Sequence, residues 1–195
     1  MIHGLLLAAG SGSRFGGDKL LCPLRSGSAI GAVSARHLLQ VLPQSIAIVR
    51  EDDTQLASLL AGEGLRVVVC RDAREGMGRS IACGVAASSE AAGWVVALAD
   101  MPGVQPASIS AVARAIENGA AMAAAEFQGR RGHPVGFSAD FRKELLQLHG
   151  DTGARTLLAR HQQRLVHIEL DDPGVLFDID TRADAAALAE SQGSG

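Results

Sequence analysis

The sequence predicts an α/β protein whose sheet is Rossmann-like, doubly wound and mostly parallel. Three observations predict it. Short apolar runs recur along the chain, segments with helical spacing alternate with them, and a glycine-rich loop follows the first run directly.

The first run, residues 2–7, reads as a strand covered on both faces. With residues 8 and 9 it is still too short to span a bilayer, and it lacks the basic flank and cleavage pattern of a signal peptide. A helix is predicted next, starting late, near Ser28. It carries Ile30, Val33, His37, Leu38 and Val41 on one stripe and is closed by Pro43. Residues 45–49, 65–70 and 94–99 repeat the buried-strand pattern. Pro106 suits a first helical position, so a helix is predicted there with its cap near Gln105, its stripe at Ile109, Val112 and Ile116, and Gly119 past its end. Weaker strands are predicted at 120–127, 135–137 and 165–170, and the alanine-rich stretches suit closely packed helices and a buried strand. The length supports one core, so residues 1–191 are read as a single domain and the small, polar residues 192–195 as a frayed tail.

Composition excludes several functions. Net charge is −3, from 18 basic and 21 acidic residues without long blocks, and there is no Tyr, so neither a duplex-binding field nor a stacking platform for bases is present. Neither nucleic acid nor membrane is an expected partner. Three cysteines without C-x-x-C spacing suggest no disulfide framework and no zinc site, which fits a reducing cytoplasm.

The loop at residues 8–19 carries four glycines in twelve residues. Bare backbone amides there form an anion-binding concavity, and Arg14 and Lys19 add a planar fork and a point charge for phosphate oxygens. It is not a P-loop, because Gly17 is followed by Asp18. It is not a dinucleotide fingerprint either, because Phe15 stands where the last glycine should. A long loop wrapping phosphates fits better than an idle surface loop.

Two acidic positions stand out. Asp100 directly follows an apolar strand, at the edge where ligands of open α/β sheets bind, and comes too early to cap the helix at Pro106. Asp178 and Asp180 flank Ile179 at strand spacing and share one face, although Asp180 could equally cap the helix that follows it.

At this point the sequence resembles the molybdenum cofactor nucleotidyltransferases, most closely their cytidylyltransferase branch. The first matching block comprises Leu7, Ala8, Ala9 and Gly10, then Arg14, Phe15 and Gly16, then Asp18, Lys19, Leu20 and Leu21. Further blocks begin at Gly76-Met77-Gly78-Arg79-Ser80, Leu98-Ala99-Asp100-Met101-Pro102, Gly132-His133-Pro134-Val135, Gly150-Asp151-Thr152-Gly153 and Asp178-Ile179-Asp180-Thr181. The resemblance implies a nucleotide-diphospho-sugar transferase, GT-A-like fold. It implies nucleotide binding by Leu7, Ala8, Ala9, Gly10, Ser11, Gly12, Arg14, Lys19, Gly76, Gly78 and Ser80, with Arg14, Lys19 and Asp100 catalytic. Asp100 and Asp180 would hold Mg²⁺, with Asp178 the alternative to Asp180, and His133, Pro134 and Arg155 would face the pterin.

The reaction it implies is attack by the terminal phosphate of molybdopterin on the α-phosphorus of CTP, releasing pyrophosphate, with a molybdoenzyme apoprotein as a partner for the product. Ala9 stands where the guanylyl branch has glycine, which favours CTP. Transfer from GTP, a sugar-1-phosphate acceptor, and a non-catalytic cofactor-carrying chaperone are the alternatives.

Other readings are local. Ser80 could cap a helix over residues 81–87, and Gly78-Arg79-Ser80-Ile81-Ala82 falls one glycine short of a nucleophile elbow. Asp151 and Thr152 are read as caps for a helix carrying Leu157 and Leu158, and Arg130 and Arg131 as solvated. The other five histidines have no metal spacing.

Overall fold

The computed structural model describes residues 1–10, Phe15 and 18–191, the last four of these by backbone alone. Among them seven strands form one sheet: β1 (Ile2–Leu7), β2 (Ser45–Val49), β3 (Arg66–Val69), β4 (Gly93–Leu98), β5 (Met122–Phe127), β6 (Arg130–Ser138) and β7 (Leu165–Glu169). Their order is β3-β2-β1-β4-β6-β5-β7. Only β6 runs against its neighbours; β1 pairs in parallel with both β2 and β4. The doubly wound, mostly parallel sheet is therefore the fold of this chain.

Alternation along β1 explains the two layers. Leu6 packs into one core with Leu38, Leu60, Val112 and Ile116, while Leu5 and Leu7 join Ile48, Ile81, Val85, Trp94 and Phe137 on the opposite face. Helices α1 (Ile30–Val41), α2 (Thr54–Gly62) and α4 (Pro106–Glu117) cover the first face. The second is covered by α3 (Met77–Ala87), α5 (Arg142–Leu146) and α6 (Arg155–Arg160). A last helix, α7 (Arg182–Ser191), follows Asp180.

Several expectations are corrected. Strands β3 and β7 are the sheet's edges, so Val69 and Val166 are exposed instead of covered on both faces. Strand β6 is much longer than residues 135–137: Gln128 and Gly129 both take positive φ, a two-residue hairpin turn that pairs Phe127 with Arg130 and recruits both arginines into the strand. Ser80 caps nothing. Helix α3 begins at Met77, because Gly76 at φ +114° ends the preceding 3₁₀ segment Arg71–Glu75, so Ser80 lies inside the helix and is buried. Asp151 and Thr152 cap nothing by side chain; α6 starts after a turn in which Arg155 N–H donates to the Thr152 carbonyl.

Helix α4 is capped at Gln105, as its sequence predicts, by a residue distant in the chain. Buried Asp172 reaches across from the other end of the chain to accept from Gln105 N–H at 2.9 Å and Ser108 Oγ at 2.6 Å, while its second oxygen takes Gly174 N–H at 2.9 Å.

Candidate active site

A cleft of about 750 Å³ opens over the C-terminal ends of β1, β2 and β4. It lies where the strand order reverses, between the run β1 to β3 and the return to β4, the place open α/β sheets use for ligands. The floor is formed by Leu7, Ala8, Ala9 and Gly10, followed by Asp18 and Lys19. Ala8 is fixed by its N–H bond to the Ile48 carbonyl at 2.9 Å, which ties the start of the loop to β2. Ser11, Gly12, Arg14, Gly16 and Gly17, expected to embrace phosphates, lie outside the described residues.

Phe15 is described, and it is buried. Its buried ring packs on Ile30 and Ile179, with the Arg182 guanidinium 5.5 Å from the ring centroid. The same cluster therefore holds the residue beside Asp180.

Lys19 and both predicted metal ligands meet on this floor. Lys19 Nζ lies 2.8 Å from Asp100 Oδ2 and 3.6 Å from Asp180 Oδ1. The lysine side chain is 11% exposed, Asp100 25% and Asp180 42%, so the pair faces the cleft from a half-buried shelf. Asp100 is set by β4 and by Ser34 Oγ of α1, which donates to the Ala99 carbonyl at 2.9 Å. Asp180 belongs to an extended segment outside the sheet, whose Ile179 is buried, so the predicted alternation of faces holds without a strand. Asp180 does not cap α7 either. That work falls to Thr181, whose Oγ1 accepts from Asp184 N–H at 3.2 Å, and to Asp184, whose carboxylate takes the Thr181 and Asp180 N–H groups.

Two carboxylates converging on one cationic point match the oxygen-donor chemistry of a small divalent ion, which uses one or two carboxylates and takes its other ligands from water and phosphate. Among the described residues no group of three or more His, Cys, Asp or Glu is placed to enclose a metal by itself. Any such ion therefore takes its remaining ligands from water or a substrate.

The wall opposite the loop was missed by sequence reasoning. Arg50, Asp52, Asp53, Thr54 and Gln55 line the cleft after β2, faced by Ala73, Arg74, Gly76, Met77 and Ser80 from the α3 side. Arg50 is held by Asp53 at 2.9 Å, and that hydrogen bond raises the guanidinium pKa above its ordinary value. Asp52 and Arg74 pair at 2.8 Å between the two sides, and the Asp52 carboxyl is lowered from its ordinary value by backbone hydrogen bonding and by Arg74. The available signal was positional: these residues follow the C-terminal end of a parallel strand next to β1.

The predicted base-side residues divide. Gly76 and Ser80 line the cleft, whereas Gly78 is pressed against the backbone of the facing turn: its N–H donates to the Gly150 carbonyl at 2.9 Å, and a Cβ there would fall 2.7 Å from His149 N. The residues expected to face the pterin do not share the cleft. His133 and Pro134 line a separate small cavity with Ser34 and His37, beneath the Asp100 loop, and His133 Nδ1 is buried without a partner among the described residues. Burial lowers the His133 pKa, against the opposing pull of its hydrogen bond to the Val96 backbone and of Asp100, so the ring is neutral at pH 7. Arg155 is exposed on the surface, away from the cleft lining. No helix among the described residues is long and apolar enough to cross a membrane.

Residues 4–165 match the MobA-like NTP transferase domain. The purine catabolism protein PucB of Bacillus subtilis (strain 168) is 35% identical over 190 residues, 91% of each chain. Nicotine blue oxidoreductase of Paenarthrobacter nicotinovorans is 29% identical over 188 residues, 92% of each. Rv0371c of Mycobacterium tuberculosis H37Rv superposes with a TM-score of 0.82 at 28% identity over 97% of both chains, and has also been crystallised as a complex with manganese.

Proposed function

The chain belongs to the family of MobA-like NTP transferase domains, and from that premise we propose that it transfers CMP from CTP to the terminal phosphate of molybdopterin, releasing pyrophosphate. One observation carries the reading: Lys19 and Asp100 meet on the lining of a cleft of about 750 Å³, with Asp180 3.6 Å from the Lys19 ammonium, beside the loop that leaves β1. The amides of Ala9 and Gly10 and the Lys19 ammonium bind the triphosphate, and Asp100 and Asp180 would hold Mg²⁺. The manganese complex of Rv0371c supports a divalent ion in a relative of this kind. When bound, that ion supplies charge neutralisation at the phosphate oxygens.

The acceptor phosphate is already anionic at neutral pH, so its oxygen attacks the α-phosphorus without a general base, while the bond to the β-phosphate oxygen breaks and pyrophosphate departs. This chain's residues then have two tasks, alignment of the two phosphates and neutralisation of the leaving group, the second falling to Lys19. The base preference rests on Ala9 in place of glycine. Gly76 and Ser80 read the pyrimidine edge, and His133 and Pro134 act from beneath the Asp100 loop instead of touching the pterin.

The test is a pyrophosphate-release assay with molybdopterin, Mg²⁺ and each of the four NTPs. Release with CTP alone is expected. Release with GTP would move the chain to the guanylyl branch, and binding without release under any NTP would make it a carrier. Because one relative bears the name of an oxidoreductase, oxidation of NADPH by the same preparation is measured alongside, and none is expected.

A further inference from the structure

No residue of α1 lines the cleft, yet two of its side chains grip the loop of residues 99–105 that carries Asp100. Ser34 and His37 stand three positions apart, so they share one face of the helix. Buried Ser34 Oγ donates to the Ala99 carbonyl at 2.9 Å, immediately before Asp100. His37 Nδ1 lies 2.8 Å from the Val104 carbonyl at the far end of the loop, and since a carbonyl only accepts, Nδ1 is the donor. Packing beneath the loop is incomplete, because a cavity of about 10 Å³ lies among Ser34, His37, Met101, Val104 and His133. We infer that His37, together with Ser34, is a positioning residue for Asp100: the two bonds pin the loop at both ends and so fix where the carboxylate meets Lys19.

The same helix supports the other partner of that contact. Ile30 N–H donates to the Cys22 carbonyl at 3.0 Å, and Gly31 lets Leu20 come close, since a Cβ there would fall 3.3 Å from the Leu20 carbonyl oxygen. Successive turns of one rigid element therefore bear on both sides of the 2.8 Å Lys19–Asp100 contact. Asp100 enters as the catalytic carboxylate of the proposed transferase, and the positioning role of His37 rests on that reading. Phosphoryl transfer without a general base depends on alignment, so a shift of ~1 Å at Asp100 costs on the order of 10²-fold in rate. Neither Ser34 nor His37 reaches the cleft, so each acts only through the loop.

Two measurements on the full chain test this. CTP turnover is compared in wild type, His37→Leu, His37→Asn and Ser34→Ala, and His37→Leu and Ser34→Ala are also placed on Asp100→Asn, with folding checked by circular dichroism. His37→Asn keeps an N–H near the position of Nδ1, whereas His37→Leu keeps the bulk and loses the donor. His37→Leu and Ser34→Ala are expected to lower kcat by about 10- to 100-fold at saturating Mg²⁺, with His37→Asn within about threefold of wild type. On Asp100→Asn, the same two changes are expected to cost less than about twofold, because they act through the carboxylate already removed. Hydrogen exchange at the Met101 and Val104 amides needs no turnover, and it is expected to be at least about tenfold faster in His37→Leu and near wild type in His37→Asn. A loss of equal size in both Asp100 backgrounds, an equal loss in His37→Leu and His37→Asn, or exchange unchanged by His37→Leu overturns the inference. A wild type that releases pyrophosphate from none of the NTPs, or an Asp100→Asn variant that matches wild type, removes the catalytic reading instead, and exchange at the loop then decides alone whether His37 holds it. Should His37→Leu fail to fold, Ser34→Ala in the two backgrounds carries the same test.

Discussion

The backbone N–H of Ile179 donates to the carbonyl of Asp100 at 2.9 Å. That one bond sets the second acidic segment alongside the end of β4, and the burial of Ile179 against Phe15 and Ile30 fixes which way Asp180 points. The pairing of the two carboxylates is thus a backbone arrangement, and side-chain substitutions at Asp100 or Asp180 alter its chemistry without dismantling it.

Conservative amides should therefore separate chemistry from folding. Asp100→Asn is expected to lower kcat by on the order of 10²–10³-fold in the pyrophosphate-release assay, as loss of a preorganised charge at a phosphoryl centre does. Asp180→Asn, at the more exposed position, should lower it by about 10- to 100-fold, and Asp178→Asn should leave it near wild type. Equal losses at Asp178 and Asp180 would show that the assignment between them is wrong. Thermal melts of all three should overlay that of the parent protein.

Asp172 should matter to stability and not to chemistry. Its buried carboxylate satisfies three donors around the start of α4. Asp172→Ala leaves them unmet, and the expected cost is about 3 kcal/mol, or about 6–12 °C in Tm for a chain of this size. Urea melts read the loss, and CTP affinity measured at 15 °C on the remaining folded protein should stay within about twofold of wild type.

His133 predicts an acid-sensitive fold. Its pKa is lowered from 6.5 in the folded protein by burial, so below that value the unfolded chain takes up a proton that the native state refuses. The stability this imidazole contributes is complete above pH 6.5 and is lost as pH falls, at no more than about 1.4 kcal/mol per pH unit. Comparing urea midpoints at pH 7.5 and 5.5 should show a smaller acid loss in His133→Asn than in wild type. His3, lowered in the same direction by burial, leaves part of the slope in the variant.

Cysteine chemistry offers a quick check of packing. Burial, with the Cys83 thiol beside it, pushes the Cys70 thiol up to about 12. At pH 8 its thiolate is then on the order of one in 10⁴. Iodoacetamide followed by peptide mass spectrometry should label half-buried Cys22 well ahead of Cys70. Equal labelling would mean that the end of β3 is more open than the structure has it.

What the sequence disclosed, and what it hid, follows from how far each cause lies from its effect. Residues 2–7 and 45–49 were placed to the residue because both strands are buried on both faces, and burial writes itself into every side chain. Most of β6 was hidden because its first half is arginine, glycine, histidine and proline, and it joins the sheet through the hairpin turn at Gln128 and Gly129, not through apolar alternation. Asp100 was legible from the strand before it. The cap on α4 was not, since Asp172 lies 67 residues from Gln105. The wall from Arg50 to Gln55 carries no motif, and only the strand order places it over a cleft. His133 and Arg155 carried a family resemblance but no local feature that fixed their direction, and neither points into that cleft.

The distance in sequence between the two acids has a consequence for how the molecule is made. Asp100 is translated long before Asp180, and the bond from Ile179 that joins them can form only after every strand of the sheet has already been synthesised. A growing chain thus carries Asp100 at the end of β4 without the segment that brings Asp180 to Lys19, and the convergence of these three charges arrives late, as a property of the nearly completed polypeptide.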